Sequence, residues 1–172
     1  HSVLSGLPIL DQRTDRLFVA EQDGSAAPNA PNWGRTEAGR LHVLDARTGV
    51  QRRTLPIEWP DELAVDLHTG WLLIGHAGVE LSDGVFAGNG HVDVRDGRTG
   101  RLLRTMPVGV APGSLAVDER THRALVVNGG GQVPATDPWG WLPASVRRHV
   151  SLPPPPPVRT VPSSVSVITL QP

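Results

Sequence analysis

The feature that most constrains this chain is an internal repeat of about 52 residues. Leu63-Ala64-Val65-Asp66 returns as Leu115-Ala116-Val117-Asp118, and a weaker copy, Ile9-Leu10-Asp11, precedes both. Each copy runs through a short turn into a second apolar run: Leu17-Phe18-Val19, Trp71-Leu72-Leu73-Ile74 and Ala124-Leu125-Val126-Val127. A second set of words follows at the same spacing. Leu41 to Asp45, Arg47-Thr48-Gly49 and Arg53-Thr54-Leu55-Pro56 match Val92 to Asp96, Arg98-Thr99-Gly100 and Arg104-Thr105-Met106-Pro107. A third copy opens at Val165-Ser166-Val167-Ile168.

Each unit thus holds four short runs rich in Val, Leu and Ile, bounded by Asp, Thr and Gly turns, here termed strands A to D. Four strands in a repeat of this length predict an all-β chain of β-propeller type, built of four-stranded antiparallel blades. Composition agrees: 19 Gly and 17 Pro against 4% aromatic residues favour short elements and many turns, and 38% apolar residues suffice for a core. Blade 1 spans about 1–57, blade 2 about 58–108, and blade 3 about 109–172 with an insertion over 128–162. The third blade lacks its last strand, and closed propellers need four to eight blades. This favours a piece of a longer propeller over a ring made by two copies of the chain, and over an open array with unpaired edges.

The LAVD, D-x-R-T-G and RTxP words resemble the YVTN repeats of exported bacterial, YncE-like propellers, a likeness covering the chain apart from its three insertions. The resemblance implies a secreted, periplasmic or cell-surface module. A chain that starts at His1, with Met106 as its sole Met, fits a removed signal peptide or a trimmed terminus equally well. Related propellers include lactonase-like hydrolases and lyases, which hold a metal in the central channel with acidic, Asn and His ligands from several blades. Here strand A, which lines that channel, is mostly apolar (Ile9, Leu10, Leu63, Val65, Leu115, Val117), with carboxylates only at Glu58, Asp61 and Glu62.

Several chemistries are excluded outright. Every basic residue is Arg, and there is no Lys, Cys or Tyr, which removes lysine Schiff bases, thiol nucleophiles, Cys-ligated metals and disulfides. A net charge of −1 without charged blocks argues against nucleic acid as a partner. No apolar run reaches the roughly 18 residues of a membrane span. No nucleophile elbow, HExxH, EF-hand loop or glycosylation sequon is present. The absence of Lys suits a GC-rich genome, and abundant Pro without Cys suits a thermophile.

Function is expected on one face. In an antiparallel blade the A–B and C–D turns share one face, and all of these are short. The B–C connections share the other, and all are long: about 21–39, 76–90 and 128–162. The first carries Trp33, which suits a pin holding its loop to the rim as well as a stacking platform for a sugar. The second gathers His76, Glu80, Asp83, Asn89 and His91, donors for a divalent cation such as Ca2+ or simply solvated loop polar groups. Asp61, Glu62, Asp83 and His91 are the metal candidates. The third holds a Gly-rich exit at 128–131, then Trp139, Trp141, Arg147 and Arg148 on a short helical segment capped by Asp137, then the extended Pro153 to Pro157 run. Arg159-Thr160-Val161-Pro162 repeats the RTxP word out of place and is read as coincidence. The resulting expectation is a binding or scaffold module that takes a protein, peptide or glycan through these loops. The repeated Asp residues (Asp11, Asp45, Asp66, Asp96, Asp118) read as turn caps rather than acid–base pairs, and His42 and Asp93 as surface positions of strand C.

Overall fold

A computed structural model describes residues 3–4, 8–22, 38–58, 60–78, 80–82, 85–86, 88–134 and 157–170. The chain is all-β and forms an incomplete propeller. The first sheet contains β2 (Ile9–Asp11), β3 (Arg16–Gln22), β4 (Ala38–Asp45) and β5 (Gln51–Glu58) as strands A to D, with β1 (Val3–Leu4) continuing its inner edge against β3. The second contains β6 (Glu62–Asp66), β7 (Trp71–His76), β10 (His91–Asp96) and β11 (Leu102–Pro107). The third contains β12 (Pro112–Asp118), β13 (Arg123–Asn128) and β16 (Ser164–Thr169). Pairing is antiparallel throughout these three sheets. The A strands converge, with β6 lying against β2 on one side and β12 on the other.

Side-chain alternation in the strands explains how the sheets stack. In β7, Leu72 and Ile74 join Phe18, Ala20, Leu41 and Ile57 of the first sheet in one core. Leu73, between them, joins Val92, Val94, Ala124, Val126 and Ile168 in a second core shared with the third sheet. Each blade therefore gives one face forward and one back. On the forward face of the third sheet, Leu125, Val127, Val165 and Val167 are 41–59% exposed, whereas Leu73, Val92 and Val94 at the corresponding positions of the second sheet are fully buried.

The repeated words have local physical causes. Every turn Asp receives the amide two residues on: Arg13 N donates to Asp11, Arg47 N to Asp45, His68 N to Asp66, Arg98 N to Asp96 and Arg120 N to Asp118, all at 2.9–3.0 Å. In the A–B turns the Thr three residues on adds its hydroxyl, as in Thr69 to Asp66 and Thr121 to Asp118, both 2.6 Å. The turn then needs a left-handed residue, supplied by Gly49, Gly70 and Gly100 at φ +71 to +75° and by Asp15 and His122 at φ +50 and +52°. In the A–B turns this residue also links the strands, because its carbonyl accepts from the C side of the blade: Ala46 N to Asp15, Gly97 N to Gly70 and Leu170 N to His122.

The Arg-Thr of the RTxP word is a hook between blades. Arg53 Nη1 donates forward to the Thr99 carbonyl at 2.5 Å, and Arg104 Nη2 donates forward to the Thr169 carbonyl at 3.0 Å. Thr54 and Thr105 face strand C, the first 3.3 Å from His42 Nδ1 and the second donating to Asp93 Oδ1 at 2.6 Å.

The insertions depart from the expectation. A small fourth sheet is built from β8 (Glu80–Ser82), β9 (Val85–Phe86), β14 (Gly131–Pro134) and β15 (Val158–Val161). The second and third B–C connections join in it through a parallel bridge between Val85 and Gln132. The Gly-rich stretch after Asn128 leads directly into β14 rather than forming a flexible exit, and Arg159-Thr160-Val161 pairs there with Gly131-Gln132-Val133, within the insertion and not as a fourth blade strand. The cause is backbone satisfaction: packed insertions must pair their own amides and carbonyls. Gly130 makes the approach possible, since at φ +76° an added Cβ would lie 2.4 Å from the Val161 carbonyl oxygen. The Asp137-capped segment falls outside the described residues, as does the polyproline run apart from Pro157.

Two predictions follow from the turns. Gly49 and Gly100 share a left-handed backbone, but an added Cβ at Gly49 meets nothing within 4 Å, whereas at Gly100 it falls 2.0 Å from Leu55 Cδ1. Gly49→Ala should cost about 1 kcal/mol, and Gly100→Ala should cost more, read as denaturant midpoints; equal midpoints would contradict the packing of Gly100 on Leu55. The second concerns acid. Arg52 beside Asp45, and the Thr121 hydroxyl on Asp118, hold these carboxyls below their ordinary range. At Asp66 and Asp96 burial is the largest single influence and pushes upward, yet their hydrogen bonds together outweigh it and the net direction is down. Depressed folded-state values mean that these groups stabilise above the unfolded carboxylate range near pH 4, and that this stability fades as pH falls through the lowered values. The difference in unfolding free energy between the native chain and Asp118→Asn should hold level from pH 7 to 5 and shrink below pH 4.

Candidate functional site

The face carrying the B–C connections has a polar cluster at one register in every blade. A residue at or next to the end of strand B, its cross-strand partner on strand C and the residue two further along strand C meet there: Glu21, Arg40 and His42; His76, His91 and Asp93; Asn128, Ser164 and Ser166. In the first blade this is an ionic set, with His42 Nε2 2.6 Å and Arg40 Nη1 3.6 Å from the Glu21 carboxylate. In the third it is neutral. Asn128 Nδ2 donates to Ser164 Oγ at 3.2 Å and Ser166 Oγ at 2.9 Å, while Asn128 Oδ1 accepts from Gly109 N at 3.0 Å.

The second blade differs from both. His76 and His91 face each other across the β7–β10 ladder with their rings stacked, centroids 4.6 Å apart and planes at 21°. His91 Nε2 lies 3.4 Å from Glu58 Oε2, and His76 Nε2 lies 3.9 Å from Asp93 Oδ2. Asp93 is held in turn by Arg95 Nη2 at 3.0 Å and Thr105 Oγ1 at 2.6 Å. It is buried in the seam with the first blade, at 6% exposure, rather than on the surface as its strand position suggested. The alternation was right, but the side turned away from Val94 faces the first blade instead of solvent. His42 is half-buried in the ionic set.

The structure brings together two of the expected donors, His76 and His91, and adds Glu58. That carboxylate was placed at the channel mouth; it ends β5, the outermost strand of the first blade, and reaches His91 from there. Asp61 is engaged at the start of the second blade, where its Oδ2 accepts from Ala77 N at 2.6 Å and its own amide donates to the Gly75 carbonyl. Glu62 lies opposite Gly75, and burial, with Asp61 beside it, raises its carboxyl above the ordinary range. Asn89 is exposed, and its carbonyl packs near Gly78. Glu80 stands in β8, paired with Phe86, with its side chain outside the described residues. Trp33, Asp83, Trp139, Trp141, Arg147 and Arg148 also lie outside the described residues.

On the opposite, turn-bearing face, a recess of about 210 Å³ sits between the first two blades, with Arg16, Arg52, Arg53, Arg98 and Asp96 in its lining. Its polar groups are largely committed: Arg52 to Asp45, Arg53 to the Thr99 carbonyl and Asp96 to its own turn. It is a seam between blades. Among the described residues no helix is long and apolar enough to cross a membrane.

No family model matches the sequence, and no curated protein is similar to it at sequence level. Several solved structures resemble the chain in part, two of them as follows. The Dos1 propeller shares 12% identity over 77% of this chain at a TM-score of 0.46, and the hydrazine synthase of Kuenenia stuttgartiensis shares 16% over 78% at the same score. The chain spans 30% and 32% of their respective lengths, so these likenesses are partial on both sides.

Proposed function

We propose that this chain is an exported binding or scaffold module that recognises a protein, peptide or glycan through the long B–C connections of one face. The observation that carries this reading is the asymmetry of the two faces. The A–B and C–D turns close on themselves within a few residues, each Asp cap accepting from the amide two residues on. The opposite face receives all the inserted chain, two insertions of which pair into a sheet of their own. Connections mounted on a rigid β scaffold are where binding residues concentrate. Among the described residues of the inner strands, Leu63, Ala64 and Leu115 of β6 and β12 go to the cores.

The test is a paired display experiment. Glycan and random-peptide arrays are probed with the native chain, with a chain in which residues 23–37 are replaced by a short turn, and with an Arg98→Glu/Arg120→Glu chain altered on the turn face. Hits should weaken by about tenfold or more with the shortened connection and persist with the turn-face variant. Hits that survive the shortening but vanish in the Arg98→Glu/Arg120→Glu chain would overturn the reading.

A further inference from the structure

We propose that Glu58, His76 and His91 form a binding site for a borderline divalent cation of the Zn2+ type. One donor atom from each residue lies within 4.8 Å of the other two. The three come from separate elements, the end of β5, the end of β7 and the start of β10, so the fold and not a local motif assembles them. Around a single Zn2+, with nitrogens and oxygens about 2.0–2.2 Å away, tetrahedral donors stand roughly 3.3–3.5 Å apart. His91 Nε2 and Glu58 Oε2 already stand 3.4 Å apart, and Glu58, 60% exposed on its side chain, is the ligand with room to move. His76 is the fixed point, 3% exposed in the seam between the blades.

The donor set selects the ion. Two imidazoles and one carboxylate suit Zn2+, Ni2+, Co2+ or Fe2+, whereas Ca2+ requires six to eight oxygens that this cluster lacks. Asp93 lies beside this ring. It stands 3.9 Å from His76 Nε2, longer than a hydrogen bond, and is itself anchored by Arg95 and Thr105, so a small approach of the ring on metal binding would give it an outer carboxylate partner. The corresponding clusters of the other blades cannot do this. Glu21, Arg40 and His42 place a guanidinium among the donors, and Asn128, Ser164 and Ser166 offer neutral groups spent on one another and on Gly109. Three protein donors leave a tetrahedral ion one position, on the face bearing the insertions, for water or a donor from a bound molecule. The ion would also tie the first blade to the second. The site rests on described strands alone and stands whether or not the long connections take a partner.

The test uses the full chain, stripped with chelator and titrated with Zn2+ by calorimetry and with Co2+ by visible absorption. One equivalent of Zn2+ should bind with micromolar or better affinity and raise the thermal midpoint, Co2+ should give the intense ligand-field bands of a four-coordinate ion, and Ca2+ should do neither. Glu58→Gln and His91→Ala should each weaken Zn2+ on the order of a hundredfold, with circular dichroism of the metal-free chains showing that both remain folded; Asp93→Asn should weaken it by about tenfold. A His68→Asn/His122→Asn chain, which removes the other close imidazole pair, 4.4 Å between centroids, should bind as the native chain does. Zn2+ affinity no better than millimolar, or affinity lost in the His68/His122 variant and retained in His91→Ala, would overturn the proposal.

Discussion

Everything in this molecule depends on β7 being buried on both faces at once. Leu72 and Ile74 complete the core with the first sheet, and Leu73 completes the core with the third, each at most 1% exposed. A strand apolar on consecutive residues is costly in a two-layer sandwich, where one face meets water. It is required in a stack of blades, where every inner sheet is covered on both sides. Truncating a side chain such as Leu73 to Ala removes about 2–5 kcal/mol, comparable to the entire stability of many small domains. Asp93 enters this seam with Arg95 and Thr105 as its partners.

Around that core the repeated words do two jobs, closing turns and joining blades. The Asp caps keep the turn face short and self-contained. The Arg hooks and the Glu119 carboxylate, which accepts from Leu67 N at 2.8 Å and His68 N at 3.2 Å, run from one blade to its neighbour. One face is thereby consumed by structure. The other is left to vary, and its polar register carries an ionic set, an imidazole–carboxylate set and a neutral set in three successive blades.

The fold was legible in the sequence because its constraints are local and periodic. LAVD alternates between the two cores, and D-x-R-T-G states its own turn chemistry. Less was visible at the site. His76 and His91 stood out as neighbours in one connection, but Glu58 joins them only because β5 ends beside the start of β10, a proximity fixed by blade-to-blade packing. Asp93 was misplaced for the same reason: alternation says which side of a strand a residue takes, and only the adjoining blade says whether that side is wet. The fourth sheet escaped notice because its strands are short, and one of its pairings, Val85 with Gln132, links insertions of two different blades.

The central claim is that consecutive residues of one strand report to different blades. Methyl and aromatic NOE spectroscopy on the isotopically labelled chain tests it directly. The Ile74 methyls should show contacts to the Phe18 ring and Leu41 and none to Val126, while the Leu73 methyls should show contacts to the third-blade cluster of Ala124 and Val126. Contacts from Leu73 and Ile74 to the same neighbouring sheet would contradict the stacked-blade account.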